Sequence, residues 1–305
     1  MPAHTALLPG LEHISVGAPL TRLGISLIPV YLHGATLDIA TGSESGVSIA
    51  ERPNAEVPTL VADNAGDRPA LLVDGEIVEG GLQTRVINVS VLVAAHSQVL
   101  IPVSCVEQGR WNGGDSFQRS RSFAPRRVRR TKHASIGDNV RRSGEKRTDQ
   151  GAVWSMVATE LTRLNAASAS GALTAGDARL GDGRVAQTVD ELCRRGPLPG
   201  QCGVLVTHGA RIVSAELFAT PAMLAAHWEA LICGVLLDAP EVEPTSRPSL
   251  TRAVRFLRGL SKTEATVTAG VGLGREYHMR TSKMVAQALV HEGLVVHASA
   301  FALAA

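Results

Sequence analysis

The sequence predicts an α+β fold of antiparallel β-sheets with inserted helices, and three features of the 305 residues predict it. Apolar, β-branched runs cluster and mostly meet through turns of a few residues, which suits hairpins rather than the long crossovers that parallel strands need. The helical segments come in blocks. No regular βαβα alternation is present, which argues against a doubly wound sheet.

Taken in order, residues 1–13 read as a loose or packing-dependent lead-in, and Ile25–Leu32 as a strand whose Pro29 marks an edge or bulge. Leu37–Ser45 suits a short helix stopped by Gly46, with strands at Val47–Glu51 and Val57–Ala62 and a turn at Asp63–Asp67. Three β-rich runs follow, Pro69–Val73, Val86–Val93 and Val99–Val106, and Ala94–Ser97 is short enough to join the last two as an antiparallel hairpin. Asn112–Ser122 is polar and Gly-rich, a loop. Pro125 opens Arg126–Arg142, which has a helix's length but little apolar stripe. Asp149 caps a helix with Val153, Trp154, Val157, Leu161 and Leu164 at helical spacing.

Short helices at Asp177–Arg179 and Val189–Arg194 precede a hairpin, Cys202–Thr207 and Ile212–Phe218, turning at His208–Arg211. Thr220-Pro221 starts a helix running to about Leu237. The Pro-rich stretch Glu241–Ser249 is a connector. Beyond it come a basic helix at Leu250–Leu260, runs at Thr263–Val271 and Tyr277–Lys283, and a hairpin from Met284 to Phe301. The expected organisation is a core over 1–240 with an Arg-rich helical insertion at 112–165. Residues 241–305 then pack a helix and antiparallel strands on the same domain.

Hydrophobic residues at 45% and charged residues at 19% describe a soluble globular chain, and aromatics at 3% leave the core to Val, Leu, Ile and Ala. The start, MPAHTALLPG, lacks the flank and apolar core of a signal peptide, and no run reaches the roughly 18 apolar residues of a membrane span. Four cysteines without a CxxC pair fit a reduced, cytoplasmic protein. Charge is uneven. Arg110–Arg147 holds twelve Lys/Arg against three acids, a surplus of nine, so the rest of a chain of net +2 carries −7.

Chemistry-bearing residues collect at the joints of the three runs, where a rigid scaffold aims functional side chains. Glu76 and Glu79 flank a turn before Gly80-Gly81; they are either a solvated turn or a pair able to bind a cation, hold ribose hydroxyls or act as acid and base. Cys105 ends an apolar run, as a buried small hydrophobe or as a nucleophile activated by Arg85, Arg110 or a histidine. Arg85 and Arg110, with Gln83 and Gln108, suit a fork for phosphate or carboxylate as well as salt bridges to Glu76, Glu79 and Glu107, and the two are compatible because acids can orient an arginine toward a bound anion. The basic segment 119–147 has the clustered cations of a nucleic-acid or partner surface but lacks interleaved aromatics beyond Phe117 and Phe123, and suits at least as well a solvated basic helix or a lid over a phosphorylated small molecule. Gly270–Gly274 lacks the Lys-Ser/Thr of a phosphate loop, and the ten histidines show no metal spacing. No metal is expected, and the residues name no cofactor.

From Asp74-Gly75-Glu76 through Gln83-x-Arg85, Cys105-Val106-Glu107-x-Gly109-Arg110-Trp111 and Asp149-Gln150-Gly151-x-Val153-Trp154, the chain resembles the ARPP domain family. That family is associated with ADP-ribosylglycohydrolases and rhodanese/phosphatase-like proteins. The resemblance runs nearly chain-wide, to GQCGVLVTHGARIVSAELF and AQALVHEGLVVHASAF. Family members more often carry Gly-Ala-Lys-Gln-Asn-Arg where this chain has Gly80-Gly81-Leu82-Gln83-Thr84-Arg85. The resemblance implies a role with ADP-ribose or a related ribose phosphate, an anionic small molecule. Glu76 and Glu107 would be the acid/base or hydroxyl-binding groups and Cys105 a reserve nucleophile. Arg85 and Arg110 would clamp the anion, Gln83 and Gln150 position it, and Trp111 or Trp154 stack on a base. The alternative is a non-catalytic regulator that binds nucleic acid or protein through 119–147.

Overall fold

In the hairpin Gly203–His208 and Arg211–Phe218, alternate residues serve opposite faces of one sheet. Val204 and Val206 enter one buried cluster and Leu205 another. The computed structural model describes residues 4–11, 13–32 and 36–303, so residues 1–3 and 12 of the expected lead-in lie outside the described residues. Antiparallel sheets with inserted helices make the fold α+β.

The largest sheet has ten strands. Its order is His4–Leu7, Glu264–Ala269, Arg275–Arg280, Met284–His291, Leu294–Ala302, Arg211–Phe218, Gly203–His208, Ile25–Tyr31 and Ser15–Val16, with Leu20–Arg22 also on Ile25–Tyr31. Residues His4–Leu7 of the lead-in are therefore ordered by pairing, His4 opposite Val267. A second sheet runs Phe117–Phe123, Glu76–Gly80, Arg85–Ile87, Ser97–Cys105, Thr59–Asn64, Val47–Ala50. A third joins Val91–Val93, Ala70–Leu72 and Ala40–Thr41.

Several expected elements are corrected. Leu37–Ser45 is not an α-helix: Thr41 is extended (φ −154°), Ala40–Thr41 pairs in parallel with Ala70–Leu71, and a 3-10 turn follows at Gly42–Ser45. The hairpin expected around Ala94–Ser97 does not form. Val91–Val93 pairs with Ala70–Leu72, while Ser97–Cys105 pairs with Thr59–Asn64 and Arg85–Ile87. Asn64 fixes that change of sheet by donating to the carbonyls of Val93 (3.2 Å) and Ala94 (3.0 Å). The polar loop Asn112–Ser122 contains an edge strand, Phe117–Phe123, whose Arg/Ser alternation suits an exposed sheet edge.

The α-helices are α1 (Arg126–Ser143), α2 (Gln150–Arg163), α3 (Gly183–Arg195), α4 (Pro221–Leu236) and α5 (Leu250–Ser261). Thr220 and Asp149 cap α4 and α2 through their side-chain oxygens, as their sequence positions suggest. Helix α4 packs in the largest cluster with Phe218 and Val296, and α5 covers the other face of the ten-stranded sheet through Ala253, Leu257 and Leu260. Among the described residues, no helix is long and apolar enough to cross a membrane.

Helix α1 lies between the large sheet and the six-stranded sheet. Its buried face is Val128, Arg129, Lys132, His133, Ile136, Gly137 and Val140, a single stripe at three- and four-residue spacing. Three polar residues point inward, and they set up the site.

Candidate functional site

The turn Asp74-Gly75 sends two carboxylates to different surroundings. Gly75 has φ +89°, and a Cβ there would run into the Arg129 guanidinium, so the turn needs glycine twice over. Asp74 points inward. It accepts from Arg129 (2.9 Å), Lys132 (2.6 Å), His133 Nε2 (2.6 Å) and the Ser299 hydroxyl (3.1 Å), while its N–H donates to Ser90 Oγ. Arg129 also reaches Glu216 (2.5 Å), which accepts from His297 Nε2 (3.0 Å), and His297 Nδ1 meets Ser90 (2.8 Å). Lys132 donates besides to the carbonyls of Ile87 and Asn88.

Every side chain of this network is buried, and the cavities beside it hold about 20 and 10 Å³, room for about one water molecule each. Burial alone would raise the Asp74 pKa; the charges of His133, Lys132 and Arg129 outweigh it and hold the carboxyl well below its usual range. Burial pushes Lys132 and His133 down against the pull of Asp74. For Arg129, Glu216 and Asp74 overcome burial and raise the pKa.

Glu76 faces the other way, into an open cleft of about 420 Å³ lined by Gly42, Ser43, Glu76, Arg119, Arg121, Phe123, His227 and Glu229 among others. Its carboxylate binds Arg119 (2.6 Å) and His227 Nδ1 (3.2 Å) and accepts from the Val73 N–H (2.9 Å). Burial is again outweighed, by the Arg119 charge and the His227 hydrogen bond, and the pKa falls to about 2. His227 Nε2 meets Thr41 Oγ1 at 2.6 Å, and its ring stacks on Phe218 (5.4 Å, 13°). Beside the cleft, Asp177 accepts from Ser122 (2.8 and 2.9 Å). Burial, reinforced by nearby Glu79, pushes it up to about 6. Two carboxyls with pKa values driven apart are the pattern of divided acid and base roles.

The other residues nominated by sequence gather elsewhere, where Arg85 opens its strand opposite Cys105. Glu107 accepts from Arg110 (2.7 Å), Thr84 Oγ1 (2.8 Å), the Thr84 N–H (2.9 Å) and Ser170 (2.7 Å); these bonds overcome burial and lower its pKa to about 2. Arg110 is also bound to the carbonyls of Gly80, Gly81 and Asn112, so its guanidinium pins the loop. Gln150 clasps the backbone of Cys105 with both amide atoms (2.8 and 3.0 Å), and the Cys105 thiol turns to the backbone of Glu107. Spacing of four residues puts Trp154 on the same side of α2, its buried indole N–H without a partner.

Arg85 is different. It is fully buried, its Nε bonds the Val57 carbonyl (3.1 Å), and both terminal nitrogens lack a hydrogen-bond partner. Glu51 comes no closer than 3.9 Å, and Glu51 Oε2 and Gln83 Oε1 are likewise unpartnered. Burial lowers the Arg85 pKa. Half-exposed Trp111 lies 5.7 Å from its Cζ.

The structure thus splits the nominated residues: Glu76 shares no hydrogen-bond partner with the Gln83–Arg85–Cys105–Glu107–Arg110–Trp111–Gln150 group. The cleft is also lined by Arg119 and Arg121, which the sequence singled out only as part of the basic segment 119–147, and by His227, which sequence reasoning missed along with its neighbour Thr41 and with Asp177 beside Ser122. The basic segment is largely neutralised from within. Arg119, Arg121, Arg126, Arg127, Arg129, Lys132 and Lys146 pair with Glu76, Glu229, Asp238, Glu160, Asp74, Glu216 and Glu276, all outside it. Among the described residues no group of three or more His, Cys, Asp or Glu is placed to hold a metal, and all four cysteines are free.

Fold and site define an antiparallel α+β protein with a sealed charge network behind a polar cleft. The chain belongs to the ARPP-1 family, the ARG and Rhodanese-Phosphatase-superfamily-associated Protein domain, whose model matches residues 13–301. No curated protein and no solved structure gives a significant match.

Proposed function

We propose that the cleft over Glu76 binds a phosphorylated ribose metabolite of the ADP-ribose type. The observation that carries this reading is the pairing of space with charge: about 420 Å³ bordered by Arg119 and Arg121 on one strand and Glu76 and Glu229 around them. Guanidinium groups suit phosphate oxygens, and fixed carboxylates suit sugar hydroxyls. A cleft of this volume is in the range of small-molecule sites. The family's association with ADP-ribosylglycohydrolase and phosphatase superfamilies points the same way.

A second reading places the anion at Arg85, because two unpartnered guanidinium nitrogens in a buried site are costly unless a ligand meets them. The nucleic-acid alternative is disfavoured because Arg129 and Lys132 of the basic segment are buried in ion pairs with Asp74 and Glu216, out of reach of a phosphate backbone. Thermal shift with ADP-ribose, ribose 5-phosphate and AMP tests the proposal. Ligand at a hundred times its Kd stabilises the fold by about 2.7 kcal/mol, a measurable rise in Tm. Loss of the shift in Arg121→Ala assigns the cleft, and loss in Arg85→Met assigns the strand-end cluster. No shift with any of the three at millimolar concentration overturns both.

A further inference from the structure

We propose that Thr41, His227 and Glu76 form a nucleophilic relay at the edge of the cleft, which hydrolyses a small carboxylic ester carried on a phosphorylated sugar. The proposal rests on the reading of the cleft as a ribose-phosphate site and adds a reaction to it.

Order along the relay is set by charge. Glu76 is held by Arg119 and the Val73 N–H, and its depressed pKa keeps it ionised at neutral pH. A permanent carboxylate 3.2 Å from His227 Nδ1 fixes the proton on that nitrogen. The Nε2 lone pair is then left facing Thr41 Oγ1 at 2.6 Å, the arrangement in which imidazole accepts a hydroxyl proton. The ring cannot easily turn away, because Phe218 stacks on it and Phe123 meets its edge at 6.0 Å. Nucleophile, base and orienting acid come from three separate elements: the end of strand Ala40–Thr41, helix α4 and the start of strand Glu76–Gly80.

Access matches the chemistry. His227 and Glu76 are buried yet border the cleft, and Gly42 and Ser43, next to the half-buried Thr41, line it as well. Arg121 on the same cleft, with half its side chain exposed, supplies the positive charge for the sugar phosphate.

The step balances without a redox partner. Thr41 Oγ1 bonds to the ester carbonyl carbon as its proton passes to His227 Nε2. The carbon–oxygen bond to the sugar breaks, and the departing alkoxide takes that proton to leave as a free hydroxyl. Water, activated by the same imidazole, cleaves the acyl-threonine, which releases a carboxylic acid and restores Thr41.

The test uses the full-length protein, a fluorophosphonate probe read by intact mass and peptide mapping, and p-nitrophenyl acetate turnover. The expected result is a single adduct on Thr41 and a turnover that falls about 10²–10⁴-fold in Thr41→Val and His227→Gln. Thr41→Ser, which keeps a hydroxyl, should retain turnover. Thr41→Val should remain folded and keep its ADP-ribose shift, which separates loss of chemistry from loss of binding. No adduct on the wild type, or a Thr41→Val protein as active as the wild type, overturns the relay. An adduct on Thr41 with no ADP-ribose shift upholds the relay and sinks the ligand reading alone.

Discussion

Asp74 and Glu76 stand two residues apart in one signature, and the protein uses them in opposite ways. Asp74 is sealed among Arg129, Lys132, His133 and Ser299, and the cavity next to its partners Ser90 and Ser299 holds hardly more than a water molecule. Glu76 is as strongly held, by Arg119 and His227, but on the border of an open cleft. Both carboxyls are driven below their normal pKa. A depressed pKa alone therefore does not separate a structural acid from a functional one; the space in front of it does. The buried network ties α1 to both sheets, and its rigidity places the Glu76 side of the turn.

The largest effect expected from breaking this contrast is on the sealed side. Asp74→Asn leaves Arg129 and Lys132 buried with one charge unmatched, and should cost about 3–5 kcal/mol in urea denaturation. Glu76→Gln, at the border of the cleft and beside a partly exposed Arg119, should cost about 1–3 kcal/mol and leave a folded protein. Equal losses in the two variants would erase the distinction.

Acid titration separates the groups further. Glu76 and Glu107 have folded pKa values of about 2 against an ordinary 4.5, so the stability they confer is complete above pH about 4.5 and drains away as pH falls toward 2. Asp177 has the opposite sign. Its folded pKa of about 6 lies above the ordinary 3.8, so ionising it costs stability as pH rises through that window. Asp177→Asn should gain about 1–2 kcal/mol at pH 8 and nothing below pH 4, as read by thermal melts at both pH values.

The smallest effect is expected at Arg85, in contrast to the other buried arginine, Arg129. Arg129 hydrogen-bonds Glu216 and Asp74, whereas the terminal nitrogens of Arg85 make no hydrogen bond among the described residues and only a 3.9 Å approach to Glu51. Arg85→Met should shift stability by less than about 1 kcal/mol, or raise it, while Arg129→Met should approach the Asp74→Asn loss. A large loss in Arg85→Met would give that residue a structural role.

Much of the fold was legible because it follows local rules. The hairpin at His208–Arg211, the caps at Asp149 and Thr220 and the α+β class depend on turn chemistry and periodicity. The misread elements were decided by distant partners. Thr41 is extended because Leu71 pairs with it, and Phe117–Phe123 is a strand because Glu76–Gly80 offers an edge. The buried face of α1 escaped an apolar-stripe search because Arg129, Lys132 and His133 occupy it. Their matching acids lie at positions 74 and 216, far away in sequence.

The same reason explains the site. Clustering along the chain found Glu76 and the Arg85–Arg110 group but assigned them to one place, since strand neighbours in sequence were taken as neighbours in space. His227 and Thr41 are 186 residues apart and carry no mutual sequence signal.

Calorimetric titration of ADP-ribose into the wild-type protein and Arg121→Ala is the most direct trial of the cleft as a ribose-phosphate site. Arg121 is half exposed, so its replacement should leave the fold intact. The account predicts saturable binding to the wild type, weakened at least about tenfold, some 1.4 kcal/mol, in the variant at unchanged Tm. Absence of binding to the wild type, or equal affinity in the two proteins, would contradict it.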